Sequence, residues 1–202
     1  MIIRKSWVVV LSLFVVLGCS STYLLGSWKN PKFIGKISKA YIIGLAKNDT
    51  ARFLFEDEFS KQLAEAGVIG VSSYHDFPGK DKINKDAVKS SAKSKRADAV
   101  IVARVTGERI ETVVTPGHTM YTPSAYSNSY GSYYSHSYQV MHTPSTVDEY
   151  EVRTIEANLY DTETEKLIWS AQMETYIDNN LDAIITDFVE QVIKDLDDNG
   201  LI

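Results

Sequence analysis

The single cysteine of the chain, Cys19, most constrains how this chain can be stabilised. Without a second thiol there is no internal disulfide, so the hydrophobic core alone must stabilise the fold. Cys19 follows Gly18 and ends an uncharged, mostly apolar run, Ser6–Leu17, which is preceded by Arg4 and Lys5. This order is typical of a secretory signal. The run is shorter than the roughly 20 residues that a bilayer-spanning helix needs.

The tetrapeptide Val16-Leu17-Gly18-Cys19 resembles the lipobox of bacterial lipoproteins. The resemblance implies that residues 1–18 are removed and that Cys19 becomes the lipidated first residue. An ordinary signal peptide or a marginal anchor helix is the alternative. In lipoproteins an aspartate after the cysteine favours the inner membrane. Here Ser20 follows, which implies the periplasmic face of the outer membrane, with the outer face of the inner membrane as the alternative.

Size and charge set limits on the mature chain. Residues 19–202 are enough for one domain with a real core. The full chain has a net charge of −5, and loss of the positive charges of Arg4 and Lys5 takes it to −7. An acidic balance argues against nucleic acid as a partner. Once Cys19 is acylated, a cysteine nucleophile or a thiolate metal site is excluded as well.

Hydrophobic periodicity predicts alternating strands and helices in the first half of the chain and a hairpin in the second. Asn48-Asp49-Thr50 offers capping side chains for the first helix, and Gly67 is a natural stop. In chain order the predicted elements are strand 40–45, helix 49–66, strand 68–74, helix 83–95, strand 97–114, hairpin strands 155–161 and 167–173, and helix 180–196.

This order, β-α-β-α-β-β-β-α, predicts an α/β (α+β) fold. We expect a two- or three-layer sandwich with three helices and one mixed sheet of about five strands. The early alternation predicts adjacent parallel strands, and the later hairpins add antiparallel ones. Residues 19–38 are predicted to be a lipidated tether, and residues 39–202 a single periplasmic domain.

Three segments resemble the periplasmic domains of envelope lipoproteins: Leu63–Val68, Ala97–Val102 and Leu159–Trp169. The families are those of the curli secretion channel subunit, the LpoB-type activators of cell-wall synthases and several uncharacterised lipoproteins. The resemblance implies an assembly or regulatory part rather than an enzyme. It also implies an envelope protein or the cell wall as partner, besides the membrane reached through Cys19.

A charge-free segment lies between two predicted strands. Residues 112–147 contain no Asp, Glu, Lys or Arg, and the insertion proper spans 115–147. It is interpreted either as a flexible low-complexity loop or as a recognition surface, because tyrosine offers large contact area at low entropic cost. A hairpin entering the membrane within an oligomeric pore is a third interpretation. The candidate partner-binding residues are Tyr121, Tyr126, Tyr130, Tyr133, Tyr134 and Tyr138.

Other candidate sites have simpler interpretations. His118, His136 and His142 match no common metal-ligand spacing, so neither a metal nor a cofactor is predicted. Asp161, Glu163 and Glu165 fit a solvated turn better than acid–base catalysis. The basic stripe Lys82, Lys85, Lys89, Lys93 and Arg96 fits either the solvated side of a helix or an anionic lipid surface. No catalytic residues are predicted; an envelope hydrolase using His75 or the loop histidines stays the alternative.

Overall fold

The chain is described by a computed structural model over residues 21–79, 83–123, 138–177 and 180–202. Cys19 and the signal sequence lie outside these residues. The strands are β1 (Thr22–Lys29), β2 (Lys39–Leu45), β3 (Ile69–Ser72), β4 (Ala99–Thr115), β5 (His118–Pro123), β6 (Tyr138–Thr143), β7 (Thr146–Asp161) and β8 (Leu167–Ile177). The helices are α1 (Asp49–Glu65), α2 (Lys85–Ser94) and α3 (Leu181–Asp198), with a 3₁₀ turn at Ser73–His75.

The main sheet has six strands in the order β1-β8-β7-β4-β2-β3. Strand β2 pairs in parallel with β3 and β4, whereas β4, β7, β8 and β1 pair with one another antiparallel. The predicted mixed α/β (α+β) sheet is therefore confirmed. It has six strands rather than about five, and β5 and β6 form a separate two-stranded sheet.

Strand β2 is covered on both faces. Tyr41, Ile42 and Ile43 are consecutive, and all three are buried although their side chains alternate between the faces. Residues of α1 pack on the face that carries Ile42, and residues of α2 pack on the face that carries Tyr41 and Ile43. With both faces covered by helices, the strand is a continuous apolar run rather than an alternating one.

Each helix begins at an asparagine. The side-chain oxygen of Asn48 accepts a hydrogen bond from the amide of Ala51 at 2.7 Å, and Asn84 and Asn180 cap α2 and α3 in the same way. These bonds satisfy donors that the first helical turn leaves without a partner. Gly67 follows the last turn of α1 with φ +83°, as the predicted helix stop requires.

The three helices produce a three-layer arrangement. Helices α1 and α3 pack together on one face of the sheet, where Phe59, Trp169 and Val192 belong to the main core. Helix α2 lies on the other face, where Ala92 joins a smaller cluster with Tyr41. No helix within the described ranges is long and apolar enough to cross a membrane.

The predicted tether at residues 19–38 needs correction, because Thr22–Lys29 forms the edge strand β1. The folded domain therefore begins before residue 39. Thr22 is buried and its hydroxyl lies 2.8 Å from that of Thr175, while Ser27 donates to Asp195 at 3.0 Å. The sequence did not predict this strand, because only one of its residues is buried. A register shift between Leu24 and Gly26 also interrupts the alternation of buried and exposed positions.

Candidate functional site

A long two-stranded arm extends from the sheet. We define the arm as Glu111–Thr115 of β4 paired with Thr146–Tyr150 of β7, because the pairing of β7 with β8 ends at Glu151. At roughly 3.4 Å per residue its five residue pairs measure about 17 Å. Residues 112–115 and 146–149 are exposed on both faces, whereas Tyr150 at the base of the arm contacts Tyr176 of β8.

The tip of the arm is the small sheet of β5 and β6. Gly117 lies at the junction, where an added Cβ would be 2.5 Å from the carbonyl oxygen of Thr143. No side chain fits this close backbone approach, which accounts for the glycine there. The tip thus continues the arm through a tightly packed turn, with β5 and β6 in antiparallel register.

Two of the six candidate tyrosines, Tyr121 and Tyr138, belong to the tip. The backbone of Tyr121 pairs with Val140 and that of Tyr138 with Pro123, which places both residues in the two-stranded sheet. Tyr126, Tyr130, Tyr133 and Tyr134 lie outside the described residues. Their role in partner binding stays a prediction.

Exposed apolar residues continue from the arm to the tip. Val114 and Val147 are cross-strand neighbours in the arm, and Met120 and Met141 are neighbours in the tip. All four are more than half exposed. Paired apolar side chains left in solvent are typical of an interaction surface, and no charge occurs from Thr112 to Val147 to oppose burial.

A cavity of about 300 Å³ opens at the base of the arm, between the sheet and helices α1 and α3. Its walls include Phe55, Ile155 and Phe188. At its rim, Lys47 pairs with Glu108 at 2.6 Å, and this hydrogen bond holds the pKa of the Glu108 carboxyl below its usual range. The cavity is a candidate site for an apolar ligand.

Two of the three loop histidines, His118 and His142, lie in the part of the chain that the structure describes. His118 and His142 lie on the two strands of the tip, and the Nδ1 atom of His142 is 3.2 Å from the hydroxyl of Thr119. Within the described ranges no three His, Cys, Asp or Glu side chains group to hold a metal ion. His136 lies outside the described residues.

The Asp76 side chain next to His75 is engaged elsewhere. It accepts hydrogen bonds from Tyr41, at 2.9 Å, and from Ser91. Partial burial by itself raises the pKa of Asp76, but these bonds and the ammonium of Lys95 outweigh it and hold the pKa low. Burial is the largest cause of the raised pKa of Tyr41. Asp76 thus joins β2, α2 and the 3₁₀ turn rather than orienting a histidine.

The basic stripe of α2 faces the acidic turn between β7 and β8. Glu165 accepts hydrogen bonds from Lys89 and from Lys85, which is 2.7 Å away, and Lys93 pairs with Glu163 at 2.9 Å. The bond from Lys85 is the largest cause that lowers the pKa of Glu165 to about 2. The two charged features, predicted separately, therefore complement each other. Lys82 lies outside the described residues.

A buried ion pair in α1 was not predicted. Arg52 and Glu56 are almost completely inaccessible, with their Nε and Oε1 atoms 2.9 Å apart. Glu56 also accepts from the amide of Gly44 and from the hydroxyls of Ser72 and Ser73. The i,i+4 spacing of opposite charges was visible in the sequence, but such pairs are usually solvated, so the spacing alone does not indicate burial.

Comparisons with known proteins do not assign this chain to a family. No family model matches it, and no curated protein does. Among solved structures, the PelC dodecamer from Paraburkholderia phytofirmans has 14% identity and a TM-score of 0.48, covering 87% of this chain and 96% of that one. Lipoprotein GNA1162 from Neisseria meningitidis has 14% identity and a TM-score of 0.42, covering 80% of this chain and 99% of that one. These likenesses are too distant to support a functional argument.

Proposed function

We propose that this chain is a lipid-anchored binding or assembly module of the bacterial cell envelope. Cys19 holds the domain at the membrane, on the periplasmic side of the outer membrane, and the tyrosine-rich tip contacts an envelope protein or the cell wall. The observation that carries the proposal is the arm, which holds the charge-free segment about 17 Å beyond the end of the β7–β8 pairing, at roughly 3.4 Å per residue. A two-stranded support suits recognition, because it presents side chains away from the core.

The proposal is tested by removing the tip. Thr115 and Thr146 are cross-strand partners, so a deletion of Pro116–Ser145 closed by an Asn-Gly turn leaves the arm in register. We expect an unchanged thermal unfolding profile and loss of the partners captured by chemical crosslinking in cells. In a matched control variant, the tyrosines at 126, 130, 133 and 134 are each replaced by phenylalanine. This variant keeps the aromatic area but lacks the hydroxyls. Unchanged crosslinked partners after the deletion would refute the proposal.

An oligomeric outer-membrane secretion or pore assembly is the second candidate. The exposed Val114–Val147 and Met120–Met141 pairs favour it, since neighbouring copies would bury them. Mass measurement of the acylated protein in detergent separates the two functions: a ring runs as a high-order oligomer, whereas a tethered module does not. An envelope hydrolase would be recognised by labelling with a serine-reactive probe, which the module is expected to resist.

A further inference from the structure

We propose that the edge strand β1 lies on the surface of the lipid bilayer, with Tyr23, Leu25 and Trp28 in the membrane interface. The inference rests on the proposed acylation of Cys19. Residues 20–28 carry no charge, and the exposed fractions of these three side chains are 56%, 55% and 49%. Tyrosine and tryptophan are the residues that favour the boundary between headgroups and acyl chains.

The attachment point determines which part of the domain can reach the membrane. Ser21 is held on the domain, because its amide and hydroxyl donate to Asp187 at 2.8 and 2.9 Å and its carbonyl accepts from the amide of Tyr176. Only Ser20 separates Ser21 from Cys19. Two residue steps span at most about 7 Å, so the acyl chains keep the start of β1 at the bilayer surface.

The position of β1 in the sheet leaves this surface accessible. It is the outermost strand, paired only with β8 among the described strands. The register shift between Leu24 and Gly26 leaves both Leu24 and Leu25 exposed. The ring of Tyr23 stacks edge-on against Tyr176 at a centroid distance of 6.0 Å, and Tyr176 does the same with Tyr150. An aromatic row therefore leads from the strand across the sheet.

The bilayer suits this strand better than a second copy of the chain does. An edge strand offers backbone groups to another strand, but a partner copy must first reach it by diffusion along the membrane. The bilayer is held next to β1 by a covalent bond, at high effective concentration. The headgroup region of a bilayer is hydrated. Water there can therefore form hydrogen bonds with the backbone groups that β1 exposes at the edge of the sheet. Because residues 20–28 are uncharged, contact should depend little on salt or on anionic lipid.

Tryptophan fluorescence provides the test. Cleavage before Cys19 removes Trp7, which leaves exposed Trp28 and fully buried Trp169 in the mature chain. The acylated protein, checked by intact mass, is placed in phosphatidylcholine vesicles with and without bromine atoms near the headgroups. We expect the emission in vesicles to be shifted to the blue relative to that of the protein without vesicles. We expect part of that emission to be lost when the vesicle lipid is brominated. The Trp28→Phe variant is the matched control, since it keeps an apolar ring and should show neither change.

Each outcome decides the inference. Emission that brominated lipid leaves unchanged overturns it. Protection of Trp28 from acrylamide without loss in brominated lipid overturns it in favour of a second copy. A mass without acyl chains refutes the anchor, and the strand is then tested separately by adding the unmodified protein to brominated vesicles at high lipid concentration. Loss of Trp28 emission there supports the surface, and unchanged emission overturns it.

Discussion

At the scale of single residues, the most consequential feature is the Arg52–Glu56 pair. Two charges taken out of water are tolerated only when they are paired and their remaining hydrogen-bonding capacity is satisfied. Here the guanidinium also donates to the carbonyl of Phe77 and the hydroxyl of Ser73. The carboxylate in turn accepts from the amide of Tyr74. The pair thus connects α1 to the loop after β3, and its effect on stability depends on both members.

Glu56→Gln should therefore lower the free energy of unfolding by about 3–5 kcal/mol, because it leaves the buried Arg52 without its counter-charge. Urea unfolding measures the loss. Glu58→Gln is the matched control on the same helix: its partner Lys61 is largely exposed, so the substitution should change stability by less than about 1 kcal/mol. Equal effects of the two substitutions would contradict the structural role given to the pair.

At the scale of secondary-structure elements, α2 is held differently from the other helices. Only Ala92 of its residues is fully buried, whereas α1 and α3 each bury several large side chains. Its attachment depends in part on ion pairs with the turn between β7 and β8. The centre of this contact is Glu165, which adopts φ +57°, a conformation that usually favours glycine. Its two lysine partners offset that local strain.

This contact predicts a pH dependence. Because the pKa of Glu165 falls from 4.5 to about 2 in the folded protein, its contribution to stability is present above pH 4.5 and is lost as the pH falls towards 2. We expect Glu165→Gln to lower the urea midpoint at pH 7 and to have little effect near pH 2. High salt should shrink the difference at pH 7, since the lysines are solvated.

Glu163→Gln provides the control for general charge effects, because Glu163 pairs with Lys93 but is itself largely exposed. It should change the midpoint less than Glu165→Gln does at pH 7. If the difference between wild type and Glu165→Gln were the same at pH 7 and pH 2, the ion pairs with α2 would not be the cause.

At the scale of the whole molecule, the two ends of the chain are joined. Strand β1 packs along β8 and α3, so residues about 150 to 170 positions apart contact one another. The backbone near the carboxyl terminus contributes as well, since the amide of Ile37 donates to the carbonyl of Leu201 at 2.7 Å. The segment that was expected to be a tether therefore completes the domain.

Removal of β1 tests this arrangement. A chain beginning at Asn30 loses the contacts of Ser21 with Asp187, Thr22 with Thr175, and Ser27 with Asp195. At about 1 kcal/mol per hydrogen bond, the three side-chain bonds alone account for about 3 kcal/mol. This corresponds to a Tm lower by about 6–12 °C in a domain of this size. The matched control begins at Ser21 and keeps all three contacts. Equal melting temperatures for the two chains would show that β1 is dispensable.

Much of the fold could be predicted because its signals are local. The apolar run of β2, the cap at Asn48 and the stop at Gly67 each depend on a few neighbouring residues, and all three predictions were confirmed. The position of the tip between two strands could be predicted for the same reason, since the charge-free segment interrupts two regular patterns. The length of the arm could not be predicted, because the residues of a strand exposed on both faces need not alternate between apolar and polar types.

The sequence by itself determined the class of fold, the parallel pairing of the early strands and the antiparallel pairing of the later ones, and the approximate ends of the helices. Only the tertiary structure decided that β1 joins the sheet, that the lysines of α2 meet the turn at Glu165, and that Arg52 and Glu56 are buried. Propensity and periodicity act within about one or two helical turns of the chain. Edge pairing, charge complementarity and burial depend on residues brought together from distant positions, and that proximity exists only once the chain has folded.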